Sequence, residues 1–243
     1  MTLLLYAALG GSLFFFPLNL IQVQGYSPTA AGAAILPFVV IMFSLSRWSG
    51  GLVDHFGARL PLIIGPLIAA LGFALFVLPA RSHNYWTSFF PAVVVLGLGL
   101  ATSVAPLTTT VMSSVNEHQA GVASGINNAV SRVAGLLAIA IFGVVMLQTF
   151  SRSLERQLAN IDLAPEVRSS VYEQRVKLAG LELPAGIDEV TRKNLERAVA
   201  DSFVAGFRLI MISAAGLALG SALSAWWLIG RRENNGTAKG LPS

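Results

Sequence analysis

The sequence predicts an all-α membrane protein, a six-helix transmembrane bundle arranged as two inverted three-helix repeats. Three observations lead there. Apolar residues make up 54% of the 243 and charged residues 12%, with a mean hydropathy of +0.69; soluble domains carry roughly twice that charge. The charges are unevenly spread: residues 1–147 hold only Arg47, Asp54, Arg59, Arg81, Glu117 and Arg132, whereas 148–205 hold nine acidic and eight basic residues. Finally, six stretches reach the roughly 20 apolar residues that a helix needs to cross a bilayer.

The first stretch, about 3–23, reads as a span rather than a signal peptide, because no basic region precedes it. It runs into Gly25-Tyr26-Ser27-Pro28, where Ser27 is placed to cap the next helix and Pro28 to take its first position. The second, about 29–53, ends at Asp54-His55-Phe56-Gly57-Ala58-Arg59, a polar loop. The third, about 60–79, stops at a polar turn holding Arg81, Ser82, His83 and Asn84. The fourth, about 87–111, leads to Asn116, Glu117 and His118. The fifth covers about 122–147 and the sixth about 206–230. Tyr26, Trp48, Tyr85, Trp86, Trp226 and Trp227 fall near the predicted interfaces, as in an aromatic belt.

The organisation predicted is therefore five transmembrane helices over 1–147, an extracytoplasmic loop with short amphipathic helices over 148–205, a sixth transmembrane helix over 206–230 and a cytoplasmic tail over 231–243. Within the loop, Leu154, Leu158 and Ile161 recur at helical spacing, as do Leu195, Val199 and Phe203. Placing the Asp54–Arg59 loop in the cytoplasm gathers Arg47, Arg59, Arg132, Arg231, Arg232 and Lys239 on or near that side, as the positive-inside rule requires. Both termini are then cytoplasmic, and the membrane is the cell (plasma) membrane.

Several functions are excluded. The pI near 9.9 does not signal nucleic acid, since the basic residues form no patch. Without cysteine there is no disulfide or zinc-thiolate chemistry. An intramembrane serine protease needs Gly-x-Ser-Gly and a membrane histidine; Val122-Ala123-Ser124-Gly125 lacks the first glycine, and His55, His83 and His118 fall in loops. No His-Glu-x-x-His is present for zinc. An enzyme, a metal and a bound cofactor are not expected.

Gly50-Gly51-Leu52-Val53-Asp54-His55-Phe56-Gly57-Ala58-Arg59 resembles the signature loop of the major facilitator superfamily. Gly50, Leu52, Asp54, Gly57 and Arg59 match it, while His55 and Ala58 stand where basic residues are usual. Gly50 allows close helix approach and Gly57 a turn with positive φ; Asp54 is suited to a helix N-terminus. The resemblance extends to Phe16-Pro17-Leu18 through Gln22, to Gly25–Gly32 and Leu36-Pro37, and to Gly121-Val122-Ala123-Ser124-Gly125-Ile126-Asn127-Asn128 with Arg132 and Gly135. These look like the C-terminal half of fourteen-span drug:proton antiporters (multidrug efflux transporters). The resemblance implies half of a major facilitator fold, a lipophilic drug-like substrate, a proton gradient as energy source, and alternating access with Asp54–Arg59 as the cytoplasmic gating loop.

A charge at mid-bilayer costs about 2.5–3.5 kcal/mol, so Arg47 and Arg132 are candidates for a charge network. Asn19, Gln22, Asn127 and Asn128 are candidates for a substrate cavity, with Phe14, Phe15 and Phe16 as stacking surfaces that cannot all face one cavity. Arg208 reads as an interfacial anchor, and Gly216 with Gly220 as a packing step. No Asp or Glu lies in the middle of a span, so this bundle offers no coupling acid. The expected partners are the lipid bilayer and a missing N-terminal half or partner chain. The alternative is a non-transporting half that serves only as a membrane scaffold.

Overall fold

A computed structural model describes the backbone of residues 1–78, 84–184 and 186–237, and their side chains except those of 50, 52–56 and 229–237. Arg81, His83 and Lys239 lie outside the described residues, and the side chains of Gly50, Leu52, Asp54, His55, Arg231 and Arg232 are likewise outside. The described residues form α1 (Thr2–Gln22), α2 (Pro28–Ala33), α3 (Leu36–Phe56), α4 (Arg59–Leu75), α5 (Tyr85–Ser88), α6 (Phe90–Ser113), α7 (Ala120–Leu158), α8 (Pro165–Glu173) and α9 (Glu189–Thr237). Two 3₁₀ turns, Glu117–Gln119 and Gln174–Gly180, complete them. There is no strand among the described residues.

Local chemistry sets the boundaries. Ser27 accepts from the Ala30 N–H at 3.2 Å and Pro28 opens α2, which is the cap read from the sequence. The second apolar stretch is not one helix: it breaks after Ala33 and restarts at Leu36. Pro37 supplies the reason, because it has no N–H to give the carbonyl four residues back. Among the described residues five helical stretches are long and apolar enough to cross a membrane; α4, with 17 residues, is the short one. It tightens at its end, where Phe76, Val77 and Leu78 bond to carbonyls three residues back.

The segment 148–205 differs from an isolated loop. α7 runs on to Leu158 and α9 begins at Glu189, so its flanks are extensions of the spans. At 1.5 Å per residue α7 is roughly 58 Å long and α9 roughly 73 Å, against a hydrocarbon core of about 30 Å. The extensions hold together by burial: Phe150, Leu154, Leu158, Leu195, Val199 and Phe203 are core residues, and Val171 of α8 joins them. Separate short helices are confined to α8 and the 3₁₀ turn that follows it.

The packing has an internal symmetry. α1 packs on α7 and α9, α6 packs on α3 and α4, and α4 packs on α9. Exchanging α1 with α6, α3 with α7 and α4 with α9 returns the same set of pairings. The members of each pair are three spans apart in the chain, an odd number, so the second triplet runs opposite to the first, as inverted repeats do. The tightest crossing is α4 on α6. A Cβ added at Gly99 would lie 2.3 Å from the Ala69 nitrogen, so only glycine allows the two backbones to meet there. On the last helix a Cβ at Gly216 would meet nothing within 4 Å, and one at Gly220 only Leu4.

Candidate functional site

Gly57 separates α3 from α4 with φ +72, the left-handed conformation that glycine adopts without strain. It turns the chain so that Arg59 opens α4. Gly50, Leu52 and Asp54 lie on the last turns of α3, with their side chains outside the described residues. Arg59 is half-buried and engaged with a partner in the structure.

Arg47 and Arg132 are both exposed on the isolated bundle, on α3 and α7 respectively. Neither makes an ion pair or hydrogen bond among the described residues. α3 and α7 are also the least covered spans: 11% of the apolar window Pro28–Ser49 is buried and 22% of Glu117–Leu158, against 56% of Phe90–Ser113. The bare faces carry Phe43 and Trp48 on α3, and Val122, Ile126, Leu136 and Ile141 on α7. α3 and α7 are the pair that the internal symmetry exchanges.

The four amide candidates do not share one cavity. Asn127 is buried and its Oδ1 accepts from Thr2 Oγ1 at 2.9 Å, tying α7 to the start of α1. Asn128, one residue on, is exposed. Asn19 and Gln22 sit at the opposite end of α1, about 25 Å from Thr2 along the helix. Asn19 is 2% exposed, and its Oδ1 has no hydrogen-bond partner among the described residues; the Gln22 Oε1 is likewise buried without one. Of the three phenylalanines only Phe14 is exposed; Phe15 and Phe16 are core, and Phe16 packs edge-on against Phe76 at 5.0 Å.

Two features escaped the sequence reading. Arg208 is more than an anchor: its Nε–H donates to the Val77 carbonyl at 3.0 Å, satisfying the C-terminal end of α4 from α9. α6 carries a hydroxyl-rich stretch, where Thr102, Ser103, Thr108, Thr109 and Thr110 each bond the carbonyl four residues back. Thr102 and Thr109 are two turns apart on one face. Their hydroxyl protons are already placed, so they present methyl groups and acceptor lone pairs to whatever faces α6. The signal was there in the run Thr108-Thr109-Thr110, but threonine is common in apolar helices.

Among the described residues no group of three His, Asp or Glu side chains is placed to hold a metal ion. Comparison with known proteins adds the following. Residues 1–139 match the family model described as Major Facilitator Superfamily. The multidrug resistance protein Stp of Mycobacterium tuberculosis is 29% identical over 231 residues, covering 91% of this chain and 42% of that protein. The tetracenomycin C resistance and export protein of Streptomyces glaucescens is 31% identical, covering 91% of this chain and 41% of that protein. A tetracycline resistance determinant of Streptomyces rimosus is 25% identical, covering 96% of this chain and 71% of that protein. The chain thus spans about two fifths of the length of the first two.

Proposed function

The chain belongs to the major facilitator superfamily and is a multi-pass membrane protein, and from that premise we propose that it forms the C-terminal bundle of a drug efflux transporter. The carrying observation is the likeness of nearly the whole chain to resistance and export proteins more than twice its length. The cargo class is lipophilic drug-like compounds, and the mechanism alternating access. A second bundle of the same family is the partner. In this reading it covers the bare faces of α3 and α7, where Arg47 and Arg132 need a carboxylate, a carbonyl or water rather than lipid. Arg132 stands a dozen residues into α7, roughly 18 Å from its start, where lipid exposure costs about 2.5–3.5 kcal/mol.

The proton coupling belongs to the other bundle, since no carboxylate lies mid-span here. The Asp54–Arg59 loop acts as a cytoplasmic gate, holding one state of the cycle through contacts that the other state breaks. The distribution of Lys and Arg supports placing both termini in the cytoplasm, and the membrane in this reading is the plasma membrane. Rocking of the two bundles exposes Phe14 of α1 and the Thr102–Thr109 face of α6 to each side in turn.

The test is drug accumulation in cells expressing this chain together with an N-terminal bundle from a related exporter. Asp54→Asn is expected to slow efflux while leaving the amount of protein in the membrane unchanged. Unchanged accumulation on adding the intact pair would favour a scaffold that transports nothing, and normal flux in the Asp54→Asn chain would refute the gate.

A further inference from the structure

The second span is divided in two, and its pieces are held very differently. After the break, α3 lies tightly on α6: a Cβ added at Gly97 would stand 3.2 Å from Ile41 Cγ2. Before it, α2 buries only Ala31, and a Cβ at Gly32 would meet nothing within 4 Å. A short element with so little buried surface opens locally at a low free energy.

The joint lacks ordinary helix bonding. Pro37 has no N–H to offer the Ala33 carbonyl. The Ile35 N–H reaches the Gly32 carbonyl, three residues back instead of four, at 3.2 Å. Among the described residues no backbone N–H reaches the Ala34 carbonyl. Tyr85 takes that place: its hydroxyl donates to the Ala34 oxygen at 2.6 Å. The tyrosine is itself well fixed. Asn84 Oδ1 accepts from the Trp86 N–H at 3.0 Å and caps α5, and the Tyr85 ring meets Trp86 and Phe90 edge-on at 5.6 and 6.2 Å. Ile35 and Phe38 of the joint also line a void of about 10 Å³, with Phe16, Phe76, Val93 and Leu96 across from them. Apolar walls keep such a void dry, and it leaves the joint room to shift in an otherwise close-packed interior.

A firmly seated α3, a loosely held α2 and a joint completed by one side chain make a latched hinge. We propose that Tyr85 is the positioning residue of this hinge: its hydroxyl holds α2 in place, and α2 swings about Ala34–Ile35 when that bond breaks. In the transport reading the second bundle covers the bare face of α3, and α2 continues the same span outward. Swinging α2 therefore widens or narrows the crevice between the bundles at the end opposite the Asp54–Arg59 loop, while α3 keeps its seat. That part in the cycle rests on the transport reading; the hinge itself does not.

The chain has no cysteine, so pairs of spin labels can be introduced on an unmodified background. In the full chain in lipid nanodiscs, labels on Ala33→Cys and Thr87→Cys report α2 against α5. Labels on Val40→Cys and Leu98→Cys report α3 against α6; all four positions are exposed. Tyr85→Phe keeps the ring and removes the hydroxyl. It is expected to raise the population of a displaced α2 about fivefold and to leave the α3–α6 distances unchanged. 4-Aminophenylalanine at position 85 returns an N–H donor and is expected to restore the original distribution. Unchanged α2 distances in Tyr85→Phe would overturn the latch, and so would equal broadening of both pairs, the sign of general loosening. Drug efflux by the chain paired with an N-terminal bundle then tests the part in the cycle. Tyr85→Phe is expected to change turnover without changing the apparent KM; unchanged turnover while α2 moves would overturn that part. A pair that moves no drug, with the distances responding as described, would sink the transport reading and leave the hinge standing.

Discussion

Arg208 shows how much one side chain settles at the end of a short helix. α4 stops at Leu75, and the Val77 carbonyl that follows has no helical N–H to meet. Arg208 meets it from α9 at 3.0 Å. A charge-assisted bond of this kind contributes about 1.5 kcal/mol. Arg208→Met keeps the packing of the stem and removes the donor. Hydrogen exchange at the amides of Phe76, Val77 and Leu78 is expected to quicken roughly tenfold, and an unchanged rate would show that the bond holds nothing. The two neighbouring asparagines make the opposite point about legibility. Asn127 and Asn128 look alike in the sequence. Successive helix residues point about 100° apart, so one reaches Thr2 and the other does not. Which of them faces inward depends on the rotation of α7, set by contacts more than a hundred residues away.

The helices themselves were legible where hydropathy and helicity coincide. The apolar stretches fall on α1, the α2–α3 pair, α4, α6, α7 and α9 because a bilayer span needs both length and apolarity. They part company at residue 148. Arg152, Glu155 and Arg156 end the apolar run, yet α7 continues through them to Leu158, since backbone bonding does not depend on the surrounding solvent. Leu154 and Leu158 gave the periodicity, but nothing in it said that the helix was continuous with the span. α9 is capped by Asp188, the residue before it, whose Oδ2 accepts from the Thr191 N–H at 2.9 Å. The bond to Thr191 holds the Asp188 carboxyl below its usual range. A lowered folded-state value means that the cap stabilises α9 at neutral pH and is lost as the pH falls through that value. Asp188→Ala is expected to loosen the first turn at neutral pH, seen as a loss of helical Cα chemical shifts over 189–192. At a pH below the carboxyl's folded value the variant and the original chain should look alike.

The bundle as a whole is closed on one side and bare on the other. Its bare faces belong to α3 and α7, and Arg132 is the charge that lipid would penalise most. Arg132→Leu should therefore make this chain easier to insert alone and, on the proposed pairing, weaken its hold on a second bundle. Co-purification with an N-terminal bundle, compared between the two chains, checks this; equal recovery would place Arg132 outside the contact. The turn between α3 and α4 was readable because glycine at 57 answers to a backbone requirement, and φ +72 meets it. The exchange of pairings also fixes an order of events on the ribosome. α6 finds α3 and α4 already made, but α1 must wait for α7 and α9. Roughly a hundred residues separate α1 from α7, which is about 5–20 s of synthesis. During that interval α1 sits in the membrane without α7 and α9, the helices it packs on most, and a helper that shelters nascent spans has its natural client there.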